Sequence, residues 1–350
     1  MGLLEDTIQQ IRPADSHAEN AAARHWDAIA HPLHSLGKLE DVIVRIAGIQ
    51  ETPDVCLDRK CLVVMCADNG VVAEGVTQTG QEVTAQVAEN FLTDKATAAI
   101  LCREAGADIF PIDIGMARDT KVRRCKTLYG TKDMATEPAM TRQEAVQAVE
   151  TGIRIAQEKA AAGYRIIATG EMGIGNTTTS SAMASVLLDQ PVERMTGRGA
   201  GLSTAGLQRK IWVIHQSIEK NRPDPANPLD VLAKVGGLDI AGMTGLYLGG
   251  AACRVPVVID GFISAVAALT AVRICPAAAA FLIPSHVSDE PATPLILDAL
   301  GLSPFLTCNM RLGEGTGAVM LFPLLDMTLR VYKSMSTFEE DDIEAYKPLT

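Results

Sequence analysis

The sequence has few aromatic residues and no excess of positive charge. Aromatic side chains make up 4% of the 350 residues, too few for the stacking platforms that bind single-stranded nucleic acid. The 31 Lys and Arg residues are outnumbered by 42 Asp and Glu residues, which gives a net charge of −11. Because a protein that binds duplex nucleic acid needs a basic surface, we expect no nucleic-acid partner.

The sequence also lacks a membrane-spanning run, a secretory leader and paired cysteines. Within its most apolar stretch, 255–284, the longest piece without charge or proline (261–272) is too short to cross a bilayer. The first residues have neither the basic nor the apolar region of a signal peptide. The eight cysteines form no C-x-x-C pair, which argues against disulfides and zinc. We therefore predict a cytoplasmic protein with no membrane contact and no metal site.

Apolar runs alternate with helical patterns along most of the chain. Runs of the length and composition of buried parallel strands lie at 61–66, 109–114, 165–169, 255–259 and 278–283. Helical patterns lie at 84–105, 142–162, 177–188, 207–220, 238–252 and 262–272. This alternation predicts an α/β fold, with a mostly parallel sheet covered by helices on both faces.

The two ends of the chain have a different pattern. Residues 1–50 are helical in pattern, and the segment 324–350 is helical and then acidic, with EEDD at 339–342. We predict a small helical domain built from 1–55 and 324–350, and a large α/β domain formed by 56–323.

Polar and glycine residues follow all five predicted strands. They are Asp68 and Asn69, Gly115 (after a run that itself contains Asp113), the segment 170–179, Asp260, and Ser285 with His286. Turns are polar in any protein, so one such loop would carry no information. Five of them at the carboxyl ends of parallel strands predict a ligand site at that edge of the sheet.

The segment GEMGIGNTTT (170–179) follows a strand and opens a helix. Its glycines allow close backbone approach, and Asn176, Thr177 and Thr178 place amides and hydroxyls at a helix N-terminus, which suits a phosphate. It lacks the lysine of a nucleoside-triphosphate loop. The alternative is a capped helix after a tight turn.

Two further segments have a functional and a structural interpretation. In RLGEGTGA (311–318), Glu314 lies between two glycines at the beginning of a helix, where it could act as a general base or compensate the helix dipole. The polar segment 78–86 could line a pocket for an uncharged ring, or it could serve to cap the next helix through Thr84.

Together these segments resemble one family closely, the nicotinate-nucleotide–dimethylbenzimidazole phosphoribosyltransferases, which activate the lower ligand of cobamides. The matching stretches follow the family's order and span almost the whole chain. They are HSLGKLE (34–40), ADNGVVAEGVTQTGQEVTAQVAENF (67–91), GEMGIGNTTT (170–179), VGGLDIAGMTGLYLGGAACRVPVVIDGFISA (235–265), SHVSDEP (285–291) and MRLGEGTGA (310–318).

The resemblance implies a doubly wound sheet and a dimer, homodimeric or paired with a paralogue. It implies that nicotinate mononucleotide gives its 5-phosphoribosyl group to 5,6-dimethylbenzimidazole with inversion, without a cofactor. Glu314 matches the general base and Glu171 a second acidic residue of the pocket. The positions implied for the nucleotide and its phosphate are Gly175, Asn176, Thr177, Thr178, Lys210, Asp239, Asp260, Gly313 and Gly315. Those implied for the acceptor pocket are Thr77, Thr79, Gln81 and Leu312.

The sequence departs from the family pattern at two places. Thr79 and Gly80 stand where the family often has tyrosine and proline, and Ala292 and Thr293 where it often has glycine and histidine. The first change enlarges and polarises the wall expected to face the acceptor. A phenolic or purine acceptor therefore stays open, as does a heteromeric enzyme or a non-catalytic partner subunit.

Overall fold

The computed structural model describes residues 2–346 and contains one six-stranded parallel sheet. The strands are β1 (Lys60–Ala67), β2 (Ala107–Gly115), β3 (Arg123–Arg124), β4 (Ile166–Met172), β5 (Val257–Ile259) and β6 (Leu282–Pro284). Their order across the sheet is β3-β2-β1-β4-β5-β6. The chain thus winds outward in both directions from the β1–β4 pair, which confirms the doubly wound α/β fold.

Fourteen α-helices connect and flank the strands of the described chain. They are α1 (Leu3–Gln10), α2 (Ser16–Ala28), α3 (Lys38–Gln50), α4 (Glu82–Asn90), α5 (Thr97–Glu104), α6 (Arg142–Ala161), α7 (Asn176–Leu188), α8 (Val192–Met195), α9 (Thr204–Asn221), α10 (Pro228–Val235), α11 (Leu238–Ala252), α12 (Phe262–Ile274), α13 (Thr293–Ala299) and α14 (Thr316–Ser334). Short 3₁₀ helices span Gly70–Glu74, Phe91–Thr93 and Pro276–Phe281.

Helices cover both faces of the sheet, as side chains of β1 show. Met65 lies against Gly242 of α11, whereas Leu62 lies against Gly315 at the beginning of α14. Because side chains alternate between the two faces of a strand, these two helices are on opposite sides. The helices α6 and α1 pack on α11, and α3 and α5 pack on α14, so the central strands are buried on both faces.

The structure differs from the sequence prediction at three places. The helix predicted for 84–105 is two helices, because α4 passes at Asn90 into the 3₁₀ helix Phe91–Thr93, which ends where Asp94 adopts a left-handed conformation. Most of the strand predicted for 278–283 is a 3₁₀ helix that begins at Pro276. The two-residue strand β3 is exposed and consists of two arginines, so no apolar run marks it.

The two termini of the described chain meet. Ile29 forms an antiparallel bridge with Thr337, and the amide of Phe338 donates to the carbonyl of Ala28 at 2.9 Å. One apolar core nevertheless runs from Trp26 and Ile43 into the sheet. The division into domains 1–55 with 324–350 and 56–323 stays a prediction, and residues 1 and 347–350 of it lie outside the described residues. Between residues 2 and 346, no helix is long and apolar enough to span a membrane.

Candidate active site

A cavity of about 270 Å³ lies at the carboxyl edge of the sheet, beside the point where the winding direction reverses. The segments that follow β4, β5 and β6 form its floor, and loops 76–79, 198–202 and 311–314 form its sides. Of the residues predicted for the site, ten line this cavity: Thr77, Thr79, Glu171, Gly175, Asn176, Thr177, Asp260, Leu312, Gly313 and Glu314.

Five of the predicted site residues do not line this cavity. Thr178, Lys210, Asp239 and Gly315 are buried behind the residues that do. Gln81 lines a separate, more open cavity beside Arg118 and Tyr129, and its Nε2 donates to the carbonyl of Asn69 at 3.0 Å. Any contact of Gln81 with an acceptor in the first cavity would require this loop to move.

The turn that carries Glu314 has an unusual backbone. Gly313, Glu314 and Gly315 have φ angles of 82°, 64° and 86°, so three consecutive residues are left-handed. Glycine adopts this conformation without strain, whereas glutamate does not, which explains why glycines flank it. The turn directs Glu314 to the cavity and begins α14.

Asp260 binds the backbone of this turn. Its Oδ2 accepts from the amide of Gly315 at 3.2 Å, and its Oδ1 accepts from the amides of Gly317 at 2.8 Å and Ala318 at 3.0 Å. These are amides at the beginning of α14, which have no partner within the helix. A carboxylate from the end of β5 thus caps a helix that has glycine at its own cap position.

Glu171 and Asp239 form a buried pair that shares one amide. Asn176 Nδ2 donates to both carboxylates, at 2.9 Å to Asp239. Burial and the charge of Asp239 raise the pKa of Glu171 to about 8, and burial raises the pKa of Asp239 to about 6. At pH 7, Asp239 is therefore mostly ionised and Glu171 mostly protonated.

Glu314 has a raised pKa and one carboxylate oxygen without a partner in the described chain. Burial and the charge of Asp260 raise the pKa of Glu314, while the backbone amide of Ala98, at the beginning of α5, lowers it, and the net shift is upward. Its Oε2 is buried and has no hydrogen-bond partner among residues 2–346. This oxygen therefore has acceptor capacity that no group of the described protein uses.

Lys210 supports the beginning of α7 from behind. Its ammonium is fully buried and donates to Thr177 Oγ1 at 2.9 Å and to the carbonyl of Gly197 at 3.2 Å. Burial lowers the pKa of Lys210 to about 8, and the charge of Glu290 opposes that shift. The lysine thus places positive charge beneath the first turn of the helix without entering the cavity.

The sequence-based site omitted several residues that line the cavity. Arg198, His286, Ser288, Glu290 and Arg311 all contribute to its surface. Glu290 Oε1 accepts from the amide of Gly199 at 2.8 Å and so ties the loop after β6 to loop 198–202. Part of the signal was present in the sequence, because the polar segment after the last predicted strand includes His286. Ser288 and Glu290 lie in the stretch 285–291 and Arg311 in 310–318, both of which carry the family resemblance, whereas Arg198 lies outside the matching stretches.

Comparison with known proteins defines the class. A sequence profile described as phosphoribosyltransferase matches residues 11–343. That match covers nearly the whole chain, including both turns at the cavity. The protein is a phosphoribosyltransferase.

The particular family follows from individual relatives. The chain is 46% identical over 349 residues to the nicotinate-nucleotide–dimethylbenzimidazole phosphoribosyltransferase of Acetivibrio thermocellus, covering 99% of each sequence. It is 46% identical over 348 residues to the enzyme of that name from Ruminiclostridium cellulolyticum, again over 99% of each. The crystal structure of CobT from Thermus thermophilus superposes with a TM-score of 0.89 and 36% identity, over 94% of this chain and 100% of that one. The chain therefore belongs to the nicotinate-nucleotide–dimethylbenzimidazole phosphoribosyltransferase family, which confirms the resemblance.

Proposed function

We propose that the protein transfers the 5-phosphoribosyl group of nicotinate mononucleotide to 5,6-dimethylbenzimidazole or a related aromatic base. The products are an α-ribazole 5′-phosphate-type nucleotide and nicotinate, for assembly of the cobamide nucleotide loop. The observation that carries this proposal is that one cavity is lined both by the beginning of α7, at Gly175–Thr177, and by the turn of Glu314. A sugar phosphate and an attacking ring can thus be held side by side.

The phosphate of the donor is placed at the beginning of α7. A protein with net charge −11 does not steer an anion from a distance, so the attraction has to be local. The first amides of the helix supply it, with the buried ammonium of Lys210 behind Thr177. The carboxylates of Asp260 and Glu314 repel the phosphate from the remainder of the cavity.

The chemistry needs a base more than an acid. Breaking the bond between ribose and nicotinate neutralises the pyridinium ring, so the leaving group departs without a proton and without a metal. The acceptor nitrogen attacks the anomeric carbon from the opposite side, and the ring N–H must lose its proton. Glu314 lines the cavity, its pKa is raised by burial, and it takes that proton.

The direct test is nicotinate release from nicotinate mononucleotide with a panel of acceptors: dimethylbenzimidazole, benzimidazole, adenine, phenol and p-cresol. We expect release to depend on an acceptor and to be fastest with dimethylbenzimidazole. A preference for phenols would replace the N-glycoside by an O-glycoside and assign that specificity to the wall at Thr77 and Thr79. If no acceptor and no added paralogue gave release, the protein would be a non-catalytic subunit.

We propose that the protein is a cytoplasmic homodimer. All eight cysteines are free thiols, which suits a reducing compartment. Leu312 at the cavity is 53% exposed, and Met320 and Met327 of α14 are 40% and 59% exposed, so apolar surface extends from the cavity along this helix. Sedimentation of the purified protein should give twice the chain mass, and a monomer that doubles only with a paralogue would favour the heterodimer.

A further inference from the structure

Asp260 is buried at the end of β5, and its carboxylate contacts the turn that carries Glu314. It is 3% exposed, and both of its carboxylate oxygens are bound by amides of residues 315–318. Three backbone donors fix a carboxylate in position and orientation. The same bonds fix the donors, and with them the beginning of α14.

The turn also rests on β4. A Cβ atom at Gly170 would lie 2.6 Å from the carbonyl oxygen of Glu314, so the turn rests directly on the backbone of this strand. Because a left-handed glutamate is strained, it persists only where its surroundings determine the conformation. Here the surroundings are the backbone of β4 and the carboxylate of Asp260.

Asp260 is itself anchored in the core. Its backbone amide donates to Ser264 Oγ at 3.0 Å, and that hydroxyl lies 2.7 Å from Thr169 Oγ1 and 2.6 Å from the hydroxyl of Tyr247. All three hydroxyl groups are buried. The network links the end of β5 to β4, α11 and α12. Asp260 is therefore fixed relative to the sheet, and the turn that it binds is fixed with it.

We propose that Asp260 is a positioning residue that aims Glu314 at the acceptor by binding the backbone amides of the turn that carries it. The proposal rests on the base role of Glu314 proposed above. It differs from the role that the family resemblance implies for Asp260, which is contact with the nucleotide.

Asp260 also acts on Glu314 through its charge. The groups facing Asp260 are the amides of α14, Glu171, Glu314, Tyr247 and His286, whose Nδ1 lies 4.0 Å from Oδ1. Glu314 faces Asp260 and the amide of Ala98. Because the charge of Asp260 raises the pKa of Glu314, its removal lets Glu314 ionise at lower pH.

The test is Asp260→Asn, measured as kcat and KM for nicotinate mononucleotide across pH. One side of the new amide presents N–H groups to backbone donors, so part of the cap is lost while the size is kept. We expect kcat to fall roughly 10²-fold, because misplacing a reacting group by about an ångström has that effect. The KM for the mononucleotide should change by less than about threefold, and the acid limb of the kcat profile should move to lower pH.

A second variant separates position from charge. Gly170→Ala pushes the turn without changing any charge, so kcat should fall while the acid limb stays in place. Asp326→Asn is the matched control, because Asp326 anchors α14 to Lys60 at 2.9 Å far from the cavity, and its kinetics should equal those of the wild type. The unfolding transition of each variant shows whether it is folded. If Asp260→Asn did not fold, the kcat of Gly170→Ala would be the measurement that tests the proposal.

Four outcomes would overturn the proposal, three of them with Asp260→Asn. Asp260→Asn could retain wild-type kcat, lose activity through KM alone, or lose kcat with an unmoved acid limb, and the second would assign Asp260 to the nucleotide. Gly170→Ala with wild-type kcat would do the same. Failure of the base role of Glu314 can be distinguished from failure of the positioning role of Asp260. It would appear as full activity of the Glu314→Gln variant, whatever the kinetics of Asp260→Asn.

Discussion

The helices α7 and α14 begin in nearly the same way at the same cavity, yet their first amides have different partners. Each follows a glycine in the left-handed conformation, Gly175 with φ 93° and Gly315 with φ 86°, and neither has a capping side chain of its own. At α14 the amides bind Asp260. Among the described residues, no side chain accepts from the first amides of α7.

The difference indicates which helix receives the phosphate. An N-terminus already neutralised by a buried carboxylate has little attraction left for an anion, whereas an uncapped one with Lys210 beneath it has much. The local sequences, glycine followed by asparagine or threonine, do not distinguish the two. What distinguishes them is Asp260 at the end of the neighbouring strand β5, which binds the first amides of α14.

The largest expected effect concerns the α14 side. Glu314→Gln keeps the size of the side chain but removes the base, so kcat should fall about 10²- to 10⁴-fold. Steady-state kinetics with saturating dimethylbenzimidazole would measure it, and Glu219→Gln on the exposed face of α9 is the control. A Glu314→Gln enzyme with undiminished kcat would remove this residue from the mechanism.

The second largest effect concerns α7 and is on binding of the mononucleotide. Lys210→Met removes a buried positive charge from beneath Thr177, and loss of a charge-assisted contact corresponds to roughly 10- to 100-fold in KM for the mononucleotide. The change in kcat should be smaller than the change in KM. Lys220→Met, on the exposed end of α9, serves as the control, and an unchanged KM in Lys210→Met would refute the phosphate assignment.

A paired substitution tests the comparison itself. Thr177 and Thr316 both lie in the first turn of their helix, but Thr177 Oγ1 accepts from Lys210, while Thr316 Oγ1 donates to the carbonyl of Gly313 at 2.8 Å. Thr177→Ala should raise KM for the mononucleotide about three- to tenfold. Thr316→Ala should lower kcat by a similar factor and leave KM unchanged. If both variants affected the same constant, the two helix ends would not have separate roles.

The main features of the fold could be predicted from the sequence because buried parallel strands are long apolar runs. All five predicted runs overlap strands, although 278–283 shares only its last two residues with β6. The helices α6, α7 and α11 match their patterns closely. The break at Asp94 was not predictable, since a single left-handed residue leaves no periodic signal. The strand β3 depends on pairing with β2 and not on its own composition.

The site could be predicted only in part, for a similar reason. Glycine-flanked segments identify Asn176 and Glu314 because turns of this kind need glycine. The capping of α14 by Asp260 joins residues more than 50 positions apart, and nothing in either segment alone specifies it. The placement of Gln81 outside the cavity likewise depends on how loop 76–81 folds back onto Asn69.

The smallest expected effect is on stability and concerns Glu171, which lies between the two helix beginnings. Its pKa is about 8 in the folded protein against an ordinary value of 4.5, so the folded state holds a proton that the unfolded state releases. Stability from this group is therefore complete below about pH 4.5 and is lost as pH rises toward 8. In Glu171→Gln, whose amide resembles the protonated acid and does not titrate, the melting temperature should decline less between pH 5 and pH 8 than in the wild type, by a few degrees. If the melting temperatures of the two proteins declined equally over that range, Glu171 would be ionised in the folded state. Its carboxylate would then compete with the donor phosphate at the beginning of α7.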